Sequence, residues 1–439
     1  MNRTILPFTF AVGLAACLAA PAAMAIPLFA RQTGQNCNAC HVSFPELTPY
    51  GRYFKLSGYT LGKRTDIPLA MMAQVGVSST NHNNLADGTQ ADPDNHELKL
   101  EAASLFTGGK VTDHFGAFIQ WTYDGIAHHS SSDNDDLRLV NESVAPGGKE
   151  PDLIYGLDVN NNPTVEDVWN STPAWGYPYT TSATAVTGVP FATLIEGGLA
   201  QLSAGIGGYV FWKQSVYFDL TAYRTADGAF SAFRAGQAQA DRIAMDGYNP
   251  YWRLAYNKQW GPSSFEVGTY GMVAKLYPNN FDPSGPTNKY TDTAIDSQYQ
   301  YITDVNTYSA QATYIHEKED WVPGFASNSS DHLNSLKVKG SYWYEHKYGA
   351  TVAYFSTTGS SDYGLYNPDG PGSQGESQNG SPNTKGYILE ADYMPRDWIR
   401  IMLQYTAYTE YLGSSSNYDG TGRSASDNNS LFLNLWFAY

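Results

Sequence analysis

The sequence predicts an all-β chain: a sixteen-stranded β-barrel of the outer-membrane type, with a short helical segment in front of it. Three observations predict it. From Leu69 onward apolar residues recur at every second position, the period of a strand with one apolar face. The connections alternate between short turns and long polar loops, as in barrels whose turns lie on one side of a membrane and whose loops lie on the other. After residue 25 no stretch approaches the roughly 18 consecutive apolar residues that a spanning helix needs.

The chain opens with "MNRTILPFTFAVGLAACLAAPAAMA". Arg3 supplies a positive start, Ile5 to Leu18 an apolar stretch, and Ala23-Met24-Ala25 a small-residue cleavage pattern. Residues 1–25 therefore read as a secretory signal peptide. "LAAC", Leu14 to Cys17, also looks like a lipoprotein cleavage box, but cutting there leaves Leu18 to Ala25, which suits a signal better than a mature start. The whole chain carries 26 Lys+Arg against 42 Asp+Glu, a formal net charge of −16. Loss of Arg3 with the signal makes it one unit more negative. Nucleic-acid binding calls for a basic footprint, so no nucleic-acid partner is expected.

Residues 26–64 form the first mature segment. It contains "GQNCNACHVSFPEL", Gly34 to Leu47. Cys37 and Cys40 are the only cysteines after residue 25, and His41 follows the second directly. C-x-x-C-H is the attachment signature of a c-type haem. Two thiols three residues apart reach the two vinyl groups of one porphyrin, and the adjacent imidazole meets the iron as proximal ligand. The expectation is one covalent haem c on Cys37 and Cys40, with His41 on the iron. A short-loop disulfide is the plain alternative. A thioredoxin-type pair expects a βαβ context, which is absent. A zinc site wants two more ligands nearby, and none precedes His82.

"TPYGRYFKLSG" follows, with Thr48 as N-cap, Pro49 in the first helical position and Gly58 as the stop. Tyr50, Tyr53 and Phe54 share one face of that helix, placed to shield a haem edge or to pack on a neighbour. A segment of about 40 residues rarely holds a core unaided, so the rest of the chain is expected to cover the haem.

Residues 69–439 form the barrel. "HFGAFIQWTYD" sets Phe115, Ala117, Ile119, Trp121 and Tyr123 against Gly116, Phe118, Gln120, Thr122 and Asp124. "NSLKVKGSYWYEH" sets Leu336, Val338 and Tyr342 against Lys337, Lys339 and Ser341, and "IRIMLQYTAY" sets Ile401 and Leu403 against Arg400, Met402 and Gln404. Charged residues on the second face predict that it is wet. Short turns are expected near Thr112-Asp113, Gly147-Gly148, Lys213-Gln214, Gly261-Pro262, Val305-Asn306, Lys347-Tyr348 and Arg396-Asp397. Long loops are expected at 80–95, 125–136, 160–191, 225–249, 276–296, 322–333, 359–384 and 413–429. Counting through them gives sixteen strands, the first and last both starting or ending on the short-turn, periplasmic side. The 33 Tyr and 10 Trp suit rings at membrane interfaces. The terminal "SLFLNLWFAY" is a last strand ending on an aromatic. Loop 160–191, rich in Trp, Pro and Tyr, either folds into the lumen as a constriction or caps the outside.

A C-x-x-C-H segment followed by a sixteen-strand porin resembles the fused monohaem cytochrome c–porin family of outer-membrane iron oxidases. The resemblance covers the whole mature chain and is carried by Cys37-Asn38-Ala39-Cys40-His41 and by "PELTPYGRYFKLSGYTLG", Pro45 to Gly62. The barrel contributes architecture only. The resemblance implies electron transfer across the outer membrane from an extracellular donor such as Fe(II) to a periplasmic cytochrome. It also implies that Cys37, Cys40 and His41 hold the haem, at the periplasmic side or inside the barrel. A diffusion porin with a structural haem and a haem-based sensor are the competing readings.

Two further expectations concern metal. "IAHHSSSDNDD" places His128, His129, Asp133, Asp135 and Asp136 close in sequence, a donor set that suits a first-row metal, although a solvated loop reads the same way. For the distal iron ligand, Met72 on the first strand and His114 just past a periplasmic turn both take inward parity. Met394 and an open position stand behind them.

Overall fold

The computed structural model describes residues 27–85, 88–148, 150–370 and 376–439; the signal peptide lies outside them. Sixteen antiparallel strands close into one barrel, from Leu69–Thr80 to Ser430–Ala438. The last strand pairs with the first, Leu433 opposite Val77 and Ala438 opposite Met72. Closure leaves no unpaired sheet edge, which lipid would not tolerate.

All seven short turns occur where the spacing places them, at the end of the barrel where the last strand terminates. Three loops differ. The strand His129–Ser143 takes up most of the expected loop 125–136, the strand Asn288–Ile302 shortens 276–296, and the longest connection runs over 161–202 rather than 160–191. The cause is shared. Inward side chains of a barrel are polar, so a polar stretch such as Ser132 to Asp136 resembles a loop while it is still paired.

Leu105, Leu157, Leu220, Ile295, Val352 and Leu403 point outward and are exposed, giving the apolar band of a transmembrane barrel. Trp212, Trp260, Tyr308, Tyr344, Tyr348 and Tyr393 are exposed near the short-turn end, where interface aromatics belong.

The face expected to be wet is mostly not. Lys339 is 4 % exposed and Arg400 1 %, because two parts of the chain fill the lumen. One is the loop 161–202. Its residues 161–172 are all buried, Ser171 donates to Asp296 at 2.7 Å, and Thr180 donates to Gln74 at 2.6 Å. Of the two readings of this loop, the inward one holds.

The other is the segment 27–68. Arg52 donates to Gln298 and to Ser264, both at 2.8 Å, from opposite forks of its guanidinium. Tyr59 donates to Asp136 at 2.6 Å, and Tyr209 donates to the Leu56 carbonyl at 2.8 Å. Arg400 donates to the Phe44 carbonyl at 3.2 Å. Glu46, fully buried, pairs with Lys339 and accepts from Ser309 and Gln300. Burial pushes the Glu46 carboxyl up, but Lys339 and these hydrogen bonds outweigh it and hold it below the usual carboxylate value. Lys55 ties the two fillings together, donating to Val165 O and Asp167 O at 2.6 Å and to Asn170 at 2.9 Å.

Two predictions follow from this packing. Lys339→Met leaves Glu46 buried without its cation, a loss of about 3–5 kcal/mol. Limited proteolysis then cuts residues 27–68 while the barrel stays intact, and bilayer conductance rises. Glu46→Gln/Lys339→Met is much milder, and equal effects of the single and double changes contradict the lock. Epitope tags in loops 226–248 and 360–383 are reachable on intact cells, and a tag at Gly147-Gly148 is not; the reverse pattern overturns the orientation.

Candidate functional site

The site starts from a single helical turn, Cys37–Cys40, followed by His41 in extended conformation. His41 opens a minimal ladder with Leu47, which folds the chain back beside the cysteines. Thr48 then fixes the next helix, Pro49–Leu56. Its hydroxyl accepts from Gly51 N at 3.2 Å and donates to the Ala39 carbonyl at 2.5 Å, and its backbone N–H donates to the Cys40 carbonyl at 2.9 Å. Thr48 thus caps one helix while gripping the end of the other. Gly51 permits the approach, since a Cβ there lies 2.2 Å from the Cys40 carbonyl oxygen.

Cys37, Cys40 and His41 line one cavity of about 410 Å³, inside the barrel between the N-terminal segment and the wall. That falls in the usual range for a small-molecule or cofactor pocket, about 300–1,000 Å³. The remaining lining is largely apolar and aromatic: Phe44, Leu47 and Phe54 from the segment, Phe106, Phe118 and Trp436 from the wall, and Trp175 and Tyr179 from the inward loop. The Phe44 ring lies 5.1 Å from the His41 ring and 6.0 Å from Trp436. Phe29 stacks on Tyr59 at 5.6 Å behind Phe54.

Both cysteines are free thiols. Burial pushes each up to about 11, with Asp397 adding to the effect at Cys37. His41 is pushed down to about 4 by burial, against the pull of the Pro45 and Glu46 carbonyls. Its imidazole is therefore neutral at pH 7, the form that binds a metal. Its Nδ1 is buried without a hydrogen-bond partner. A neutral imidazole, two thiols without partners and a roomy aromatic cavity that all three line fit a covalently held porphyrin.

The two distal candidates separate. Met72 lines the cavity, on the inward parity of the first strand. His114 does not line it; its Nδ1 lies 3.1 Å from the Val140 carbonyl. Of the three ring residues on the Pro49–Leu56 helix only Phe54 reaches the cavity, Tyr50 being exposed and Tyr53 packed among Leu56, Val140 and Tyr209. The segment "IAHHSSSDNDD" does not converge. His128 faces the Tyr123 hydroxyl, Asp133 accepts from Thr122, Asp135 accepts from Ser132, and Asp136 pairs with Arg138 and Tyr59. Among the described residues no three His, Cys, Asp or Glu side chains are arranged to ligate one metal ion.

Sequence reasoning did not find Trp175, Phe106 or Trp436 as lining. The aromatic richness of the long loop and the inward parity of Phe106 and Trp436 were the signals available.

No family model matches the chain, and no curated protein does. Among solved structures it is similar to outer-membrane expressed OmpT of Vibrio cholerae, at 11% identity over 86% of this chain and 99% of that one, with a TM-score of 0.44. The anion-selective porin from Comamonas acidovorans is similar at 12% identity over 84% and 98%, with a TM-score of 0.48. The outer membrane channel DcaP of Acinetobacter baumannii is similar at 11% identity over 84% and 96%, with a TM-score of 0.46. The porin-like fold of this chain stands on its own closed ladder of sixteen strands.

In protein matured without haem, the raised thiols give a pH signature. Only the thiolate is alkylated, so the labelling rate of Cys37 and Cys40 keeps climbing about tenfold per pH unit beyond pH 9. A plateau near pH 9 contradicts the buried setting.

Proposed function

We propose that this protein is an outer-membrane c-type cytochrome built into a porin-like barrel, a member of the fused cytochrome–porin type, carrying electrons across the outer membrane. The observation that carries the reading is the convergence of Cys37, Cys40, His41 and Met72 on one aromatic cavity inside the lumen. A haem bound there supplies reversible one-electron chemistry.

The chain's own residues supply the rest. Cys37 and Cys40 would anchor the group, and neutral His41 would offer a ring nitrogen to iron. Met72, which lines the cavity from the barrel wall, would supply a thioether ligand, and methionine ligation raises the potential relative to two histidines. Phe44, Phe54, Phe118 and Trp175 keep water away. The ion pair and hydrogen bonds around Glu46, Arg52 and Lys55 hold the segment in register with the wall. An extracellular donor such as Fe(II) and a periplasmic cytochrome are the proposed partners.

A diffusion porin with a structural haem is the second reading. The sixteen-strand barrel with an inward loop favours it; the filled lumen favours electron transfer. Proteoliposomes separate the two. Electron transfer predicts reduction of an entrapped cytochrome by an external, impermeant reductant, with no solute-driven swelling. Swelling without reduction supports the porin instead. Within the first reading, Met72→Ala changes the near-infrared spectrum of the oxidised haem and lowers its potential, whereas His114→Ala leaves both unchanged. An unaltered Met72→Ala spectrum removes Met72 from the iron.

A further inference from the structure

At the long-loop end of the barrel, the strands Asn288–Ile302, Asn306–Asp320 and Ser330–Tyr344 turn four carboxylates inward. The ladder sets Asp292 directly opposite Glu317, and Glu319 directly opposite Asp331. They are 2, 1, 5 and 3 % exposed, in the order 292, 317, 319, 331. Like charges directly opposite each other destabilise a sheet. None of the four has an ion-pair partner among the described residues. The nearby bases are engaged elsewhere, Lys318 with Asp320 and Lys337 with Glu196.

Asp292 and Glu317 are cross-strand neighbours, and Glu317 and Glu319 are two apart on one strand, so their buried carboxylates lie side by side on the inner face. Ionised carboxylates have no donor to offer one another, so a set buried this closely is neutralised only by protons or by a bound cation. Fixed donors already engage part of the cluster. Leu194 N donates to Glu317 at 2.7 Å, and Trp321 Nε1 and Asn328 Nδ2 donate to Asp331 at 2.8 and 2.7 Å. Such donors favour the ionised form. Both oxygens of Asp292 and one of Glu319 lack a hydrogen bond of good geometry, the backbone of Ile195 being the nearest donor to Asp292.

A separate element points at the same spot. Tyr366 ends the short helix Tyr363–Tyr366 in the loop above and is 3 % exposed. Its hydroxyl has no hydrogen-bond partner, and the charges of Glu319, Asp331, Glu317 and Asp362 all act on it.

Buried charge must be paired or neutralised. One proton shared within each opposed pair still leaves two negative charges. We propose that the cluster holds one hydrated divalent cation of the hard, oxygen-preferring class, taken up from the long-loop end. Because no three of these side chains are arranged as direct ligands, the ion touches at most Asp292 and Glu317. Water carries it to Glu319, Asp331 and the Tyr366 hydroxyl. Small hard cations bind this way, keeping several waters. None of these residues lines the cavity beside Cys37, Cys40 and His41, so the site stands or falls apart from the haem.

The test is a terbium titration of the full-length protein in detergent, excited through tryptophan; Trp321, bonded to Asp331, is the antenna. The expected result is saturable emission that excess Mg²⁺ or Ca²⁺ displaces. Asp292→Asn/Glu317→Gln weakens binding about tenfold or more, while Asp320→Asn, an exposed acid on the same strand, leaves it unchanged. Should the double variant not fold, Asp292→Asn alone weakens binding, and Trp321→Phe loses emission while still retaining Mn²⁺ in equilibrium dialysis. No saturable emission from the folded wild type, or the same affinity in a folded Asp292 variant, overturns the proposal.

Discussion

The pairing of Ser430–Ala438 with Leu69–Thr80 is the contact on which the rest of the molecule depends. In hydrocarbon every backbone N–H and C=O must find its partner within the chain. Joining the last strand to the first removes the only two edges the sheet would otherwise have. Closure also fixes parity. Once Met72 and Ala438 face each other across that seam, every second residue around the ring is committed to lipid or to lumen. Met72, Phe118, Lys339 and Arg400 are all turned inward by this one condition.

The lumen then sets a second requirement. Its inward side chains are polar, and a filling that excludes water must answer each of them. The segment 27–68 is too short to hold a core alone, and it borrows the barrel for one. Leu28, Leu47, Phe54 and Leu56 are buried, while Glu46, Arg52 and Tyr59 meet Lys339, Gln298 and Asp136. The dependence is mutual, since Lys339 and Gln298 in turn rely on the segment. Between the two surfaces the aromatic cavity remains, and Cys37, Cys40, His41 and Met72 open into it.

Much of this was legible in the sequence because period two and turn spacing are local. Strand count, the seven short turns and the inward parity of Met72 needed nothing beyond them. The errors have a physical source. Polarity marks both a loop and a lumen-facing strand, so His129–Asp136 and Asn288–Asp296 read as loops. Polarity also marks a water-filled lumen and a plugged one alike. Nothing local distinguishes a Lys339 that meets water from one that meets Glu46, nearly 300 residues earlier. The residues on which the proposed haem site rests, Cys37, Cys40 and His41, were legible from their spacing. Its aromatic walls were not, because Trp175 and Trp436 reach it only through the inward loop and the closing strand. His114 shows the limit of parity, which placed it inward without revealing that it is held by the Val140 carbonyl.

The central proposal is that the lumen of this barrel carries one covalently attached haem at Cys37 and Cys40. The most direct measurement is the intact mass of the folded protein, purified from a host with c-type haem machinery. The account predicts one haem per chain in the wild type and none in Cys37→Ala/Cys40→Ala, with both still folded as heat-modifiable barrels. A folded wild-type barrel whose mass is that of the polypeptide alone contradicts it.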